Sequence, residues 1–183
     1  MNWRSTSAVL AVSAALVGGS AHAAAGDCTI SITPGSNAPN LDKIVKGTSG
    51  STTFTLPTTG SVSQSPASGT AGAAILLHPG SVTGYPLHVT VNAGSNCKGN
   101  NIPIGLLILP GAGPQFTGNR FYVHPTAGFA NMSDLTVTTG TFNMSFSSSS
   151  ANATATFNLG MDVSLTAASG AGAGTWTTKV TAQ

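Results

Sequence analysis

The sequence predicts an all-β fold of antiparallel strands, a β-sandwich or barrel, behind a cleaved signal peptide. Three observations carry this reading. Short stretches of alternating apolar and polar residues recur along the chain, clusters of Gly, Pro, Asn and Ser separate them, and helix signals are nearly absent. No fixed repeat period accompanies the strands, which argues against a β-solenoid.

The opening MNWRSTSAVLAVSAALVGGSAHA has the parts of a secretory leader. Arg4 stands in a short basic start, an apolar run extends from Ala8 to Val17, Gly18-Gly19 breaks it, and small residues follow at Ala21 to Ala23. The run is too short for a membrane span. Residues 1–23 are therefore expected to be removed, leaving one domain over residues 24–183, large enough to bury a core.

The strand candidates then follow in order. TISIT (Thr29 to Thr33) alternates, and STTFTL (Ser51 to Leu56) carries Phe54 and Leu56 in phase. AAILLH (Ala73 to His78) is a continuous apolar run, as is GLLIL (Gly105 to Leu109), and both read as strands covered on two sides. Between them LHVTVN (Leu87 to Asn92) turns Leu87, Val89 and Val91 to one face. TFNMSF sets Phe142, Met144 and Phe146 in phase, and MDVSL (Met161 to Leu165) alternates. SSSSANAT (Ser147 to Thr154) and SGAGAG (Ser169 to Gly174) read as loops. The closing GTWTTKVTAQ is a strand with Trp176 and Val180 facing the core and Thr177, Lys179 and Thr181 facing out. Those three outward residues are the expected contacts for a strand-pairing partner, because Lys179 is the one charge there to discourage pairing.

Composition narrows the function classes. Only 5% of the residues are charged, against roughly 25% in ordinary globular proteins, and glutamate is absent. After the leader the few lysines and arginines nearly balance the aspartates. A nucleic-acid partner or an anionic membrane surface would need a basic field, and the chain has none. Cys28 and Cys97 are the only cysteines, and an even pair in an exported chain predicts a disulfide. Closing so long a loop contributes about 4 kcal/mol in the chain-entropy account.

Catalytic and metal chemistry is sought along the chain and not found. Asp27, Asp42, Asp134 and Asp162 are scattered, so no paired-carboxylate site is expected. His78, His88 and His124 lack metal-ligand spacing, and His78 and His124 each precede a proline, which reads as the start of a turn. No G-x-S-x-G elbow and no phosphate loop occur, and the Asn-x-Ser/Thr triplets at Asn131, Asn143 and Asn152 follow from composition. Neither enzyme activity nor a cofactor is expected. A ligand-binding alternative would use Trp176, Tyr85, Tyr122 or Phe121 as a stacking surface for sugars, with Trp176 and Phe121 better read as core.

Three segments carry a resemblance. Ile44 and Gly50 in LDKIVKGTSGSTTFTLPTTGSVS, Val82, Gly84 and Pro86 in VTGYPLHVTVN, and Gly174, Thr175 and Trp176 before the last strand take corresponding places in a known group. The chain resembles secreted bacterial domains of unknown function related to spore coat protein U and archaic chaperone-usher pilins. The resemblance implies an immunoglobulin-like antiparallel β-sandwich without a catalytic site, acting in extracellular or surface assemblies. It also implies an incomplete sheet that a neighbour's strand completes. Only Ala24 to Asp27 would precede Cys28 after cleavage, so this chain is expected to accept a strand more readily than to donate one. The expectation is thus a secreted structural or pilus-like surface subunit, in the periplasm, at the cell surface or outside the cell. It would associate with its own kind or with other surface subunits by strand pairing. The alternative is an extracellular carbohydrate or surface-ligand binding module.

Overall fold

A computed structural model describes residues 14–19, 21–22, 29–34, 41, 43–77, 87–93, 101–111, 113, 116–118, 120–145, 154–168, 172 and 174–182. Cys28, Cys97, His78, Tyr85, Asp27 and Asp42 lie outside the described residues, as does most of SSSSANAT and SGAGAG. Every regular element among the described residues is a strand.

Strands are numbered in chain order. One sheet has the order β1 (Ala14–Gly19), β15 (Trp176–Ala182), β9 (Asn101–Pro110) and β13 (Gly140–Ser145). The larger sheet has the order β12 (Leu135–Thr138), β11 (Arg120–Ala127), β14 (Thr154–Thr166), β8 (Leu87–Ala93), β3 (Thr29–Pro34) and β2 (Ala21–His22). In that sheet β10 (Phe116–Thr117) and β5 (Ser51–Leu56) also pair with β14, and β6 (Ser63–Ser65) pairs with β5. A short pair, β4 (Ile44–Val45) with β7 (Ile75–Leu76), stands apart. The β1–β15 pair is parallel, and the other described pairs are antiparallel.

The alternation read from the sequence becomes the inner faces of the two sheets. On β14, Ala155, Phe157, Leu159, Met161, Val163 and Leu165 are all buried while the residues between them reach the surface to differing degrees, apart from buried Gly160. They join Phe54 and Leu56 of β5, Val89 and Val91 of β8, and Ile104, Leu106 and Ile108 of β9 in one apolar core. Trp176 and Val180 of β15 are fully buried in it, on the face the alternation predicts. Phe116 of the larger sheet meets Trp176 of the smaller one with ring centroids 5.5 Å apart, tilted at 58°. Beside them the buried Thr178 hydroxyl donates to the Met161 sulfur at 3.5 Å, a second contact between the sheets.

Two apolar runs depart from expectation. Neither is covered on both sides, since Leu107 and Leu109 of β9 are 38% and 39% exposed while Leu106 and Ile108 are buried. In the AAILLH run Ala74 and Leu76 are buried but Ile75 and Leu77 are exposed, and only Ile75–Leu76 forms a strand. The period-2 geometry of the strand sends alternate side chains outward whatever their polarity. His124 is likewise not at the start of a turn. It lies within β11, where Pro125 stands opposite Phe157 and the register shifts between Pro125 and Ala127. A bulge lets a proline sit in a strand without a lost ladder bond.

The Trp176 indole N–H has no hydrogen-bond partner among the described residues. Its ring burial therefore outweighs an unsatisfied donor. Trp176→Ala is expected to lower unfolding stability by about 3–5 kcal/mol. Trp176→Phe should cost clearly less, because the Phe116 contact survives and the unpaired donor disappears. Chemical denaturation of the three proteins measures both differences, and equal losses would contradict this account of the core.

Candidate functional site

The first arrangement is built on β15. On one edge it pairs with β9, from Trp176↔Pro110 to Ala182↔Ile104. On the other edge it pairs in parallel with β1, from Ala14↔Trp176 to Gly19↔Thr181. The last strand is therefore not a free edge in the full chain, whereas the sequence reading expected an edge open to a partner strand. Its outer edge is taken by AALVGG, a segment inside the expected leader. Strand β1 also approaches β3 of the larger sheet, so it lies where the margins of the two sheets come near each other. The next residues, Ala21–His22, extend the larger sheet beside β3.

Thr177, Lys179 and Thr181 line the outer face of β15 as expected. Lys179 is exposed and the two threonines are half-buried. Their β9 neighbours are Leu109, Leu107 and Gly105. Lys179 and Thr181 further line a shallow cavity of about 260 Å³ with Gly105, Leu107, Gly140 and Thr141. Thr177 is not part of that lining.

The second arrangement lies on the outer face of the larger sheet, and the sequence reading did not assemble it. Tyr122 of β11 stands opposite Gly160 of β14 and Thr136 of β12. Its hydroxyl donates to both carboxylate oxygens of Asp162, at 3.1 Å each. The Thr55 hydroxyl of β5 donates to the same carboxylate at 2.6 Å. The Arg120 guanidinium lies 5.5 Å from the Tyr122 ring centroid. One rung further along β11, His124 Nδ1 and Asp134 Oδ1 are 2.6 Å apart. Two of the four aspartates thus meet the same corner, joined by residues distant in sequence. Gly160 is required there, because a Cβ would fall 2.5 Å from the Leu56 carbonyl oxygen and 2.9 Å from Pro57.

A cavity of about 280 Å³ opens over this corner, lined by Thr55, Pro57, Thr58, Tyr122, Val123, Asp134, Leu135 and Thr136. Burial raises the Tyr122 pKa above its usual value, and the negative charge and hydrogen bond of Asp162 raise it further, against Arg120 and Thr55. Of the aromatics considered for stacking, Trp176 and Phe121 are fully buried, Tyr85 lies outside the described residues, and Tyr122 alone borders a cavity. His88 faces Asn158 at 3.4 Å on the same sheet face, on the rung of His124. Among the described residues no group of three or more His, Cys, Asp or Glu is placed to hold a metal, and no helix is long and apolar enough to cross a membrane.

The Tyr122 shift carries a sign. A phenol whose folded pKa lies above its unfolded value stabilises the fold fully below the unfolded value, near 10, and that contribution is lost as pH rises through the folded pKa. In a Tyr85→Phe protein, ultraviolet titration should show the remaining phenol ionising above pH 10 when folded and near 10 when denatured. Asp162→Asn should bring the folded value down. Identical folded and denatured titrations would contradict the contact geometry.

Comparison of the chain with protein-family models, curated proteins and solved structures finds no match, so the functional reading rests on these two arrangements.

Proposed function

We propose that this chain is the precursor of an exported, non-enzymatic structural subunit, pilus-like in its assembly, that joins other surface subunits or copies of itself by strand pairing at β15. In this reading residues 1–23 are the leader and residues 24–183 form an immunoglobulin-like β-sandwich at the cell surface, in the periplasm or outside the cell. The observation that carries it is the place of β1. The strand that covers the outer edge of β15 belongs to the segment expected to be removed on export. Cleavage would strip that edge and leave a long strand whose outward face offers Lys179 as its one charge. Unpaired strand edges of this kind are templates for another strand, with the main chain supplying affinity and alternate side-chain positions supplying specificity.

The disulfide belongs to the same reading. Strand β3 begins directly after Cys28 and pairs with β8, which ends shortly before Cys97, with Ile30 opposite Ala93. A bond between the two cysteines would lock the strand next to the stripped edge and limit fraying there. Protein recovered from the periplasm or medium should show no free thiol when alkylated without reduction, and two alkylated cysteines would count against the bond.

The direct test uses the exported, processed protein. A synthetic peptide of residues 12–22 should bind it and raise its melting temperature, by the equivalent of about 2.7 kcal/mol at a hundredfold excess over Kd. A peptide with Leu16→Pro and Val17→Pro should not, because proline removes the ladder donors. The proposal fails if the processed protein is monomeric at high concentration and both peptides leave its melting temperature unchanged.

A further inference from the structure

The cavity over Tyr122 stands apart from the strand-pairing reading, and its chemistry is specific. The chain has only six Lys or Arg and four Asp in 183 residues. Three of these ten, Arg120, Asp134 and Asp162, gather with His124 and Tyr122 at one corner of a sheet face otherwise made mostly of Thr, Ser and Asn. So sparse a charge set, gathered beside a concavity that Tyr122 and Asp134 line, is the pattern expected of a binding site.

The hydrogen bonds around Asp162 decide what the cavity offers. The Thr55 and Tyr122 hydroxyl protons both go to that carboxylate, so the two hydroxyl oxygens are left with acceptor capacity. Asp134 adds carboxylate acceptor capacity, and the Thr58 and Thr136 hydroxyls turn either way. Pro57, Leu135 and the Tyr122 ring supply apolar surface between these polar groups. A ligand for this lining must be rich in hydroxyl donors and carry an apolar face. An anion would meet the Asp134 carboxylate, with the Asp162 carboxylate behind the Thr55 and Tyr122 hydroxyls. A cation would find Asp134, the one carboxylate in the lining, already paired to His124, with the Arg120 charge beside the Tyr122 ring. At about 280 Å³ the cavity is near the lower end of the ~300–1,000 Å³ range of ligand pockets, which suits one ring and not a long chain.

We propose that the cavity bordered by Tyr122, Thr55, Asp134 and Thr136 binds a single neutral sugar unit of the hexopyranose class. Tyr122, Thr55 and Asp134 accept from its hydroxyls, and Pro57 and Leu135 cover its ring face. The Asp162 carboxylate is a positioning group. It holds the Thr55 and Tyr122 hydroxyls in their acceptor orientation.

The test is a titration of the isotope-labelled protein, followed by amide chemical shifts at Thr55, Thr58, Val123 and Thr136. The probes are the methyl glycosides of glucose, galactose, mannose and N-acetylglucosamine, with methylammonium as the cation arm. At least one glycoside should give saturable shifts confined to these residues, and methylammonium should not. Tyr122→Phe should weaken that glycoside about fivefold, the effect of losing one hydrogen bond, and the exposed Asp134→Asn, which keeps an acceptor oxygen but loses the charge that strengthens the bond, should weaken it by a similar factor. Spectra of both variants away from the cavity report whether they are folded, and Asp134→Asn alters no buried group. Saturable shifts with methylammonium in place of the sugars would overturn the proposal. So would no saturable shift with any glycoside, or unchanged affinity in a folded Asp134→Asn protein.

Discussion

The fold depends on one strand that is paired along most of its length on both sides. Strand β14 has β11 and β8 beside its first half and β5 and β10 beside its second, so most of the larger sheet hangs on its register. That register is set by the six alternating apolar side chains from Ala155 to Leu165. A slip of one residue would turn all of them to solvent and bring Asp162 and Asn158 into the core. Each large side chain in the set is worth about 1.5–3 kcal/mol when buried, far more than the cross-strand threonine pairs on the opposite face. The core therefore decides the pairing, and the outer face is left to be written in polar residues.

That division explains how both candidate sites arise. On the outer face of β14, Thr156 meets Thr126 with hydroxyl oxygens 2.6 Å apart, Ser164 meets Thr53 at 2.7 Å, and Asp162 gathers Thr55 and Tyr122. The Ser164–Thr53 contact is an ordinary rung of the sheet, and the Thr126–Thr156 contact falls where the register of β11 shifts. Asp162 differs because Gly160 lets the chain leaving β5 cross the sheet closely, and that crossing builds a wall beside Tyr122. The smaller sheet has its own central strand in β9, which pairs with β15 on one edge and β13 on the other, both from the expected mature domain. Its member β15 is held by β9 on one side and by β1, within the expected leader, on the other.

Much of this was legible in the residues. STTFTL and GTWTTKVTAQ appear as strands with the inner faces that alternation predicts, and Trp176 lies in the core. Strand β11 was hidden by His124-Pro125, since proline normally ends a ladder, and the bulge that accommodates it is a property of the pairing with β14. The continuous runs around Leu107 and Ile75 looked covered on both sides because composition does not say which faces a neighbour reaches. Tyr122 and Asp162 lie 40 positions apart and Thr55 and Asp162 lie 107 apart, so no local motif could have joined them. The apolar run from Ala8 to Val17 was plain, but a run that suits a signal sequence also suits a strand, and the pairing of Ala14–Gly19 with β15 depends on residues at the other end of the chain.

The central claim is that β15 owes its outer-edge protection to a segment that export removes. Amide hydrogen exchange along β15, compared between the uncleaved chain and the exported protein, tests it most directly. The account predicts that the amides of β15 turned toward β1 are protected in the uncleaved chain and exchange rapidly after processing, while those turned toward β9 stay protected in both. Equal protection of both sets before and after processing would mean that β1 does not guard the edge, and it would contradict the account.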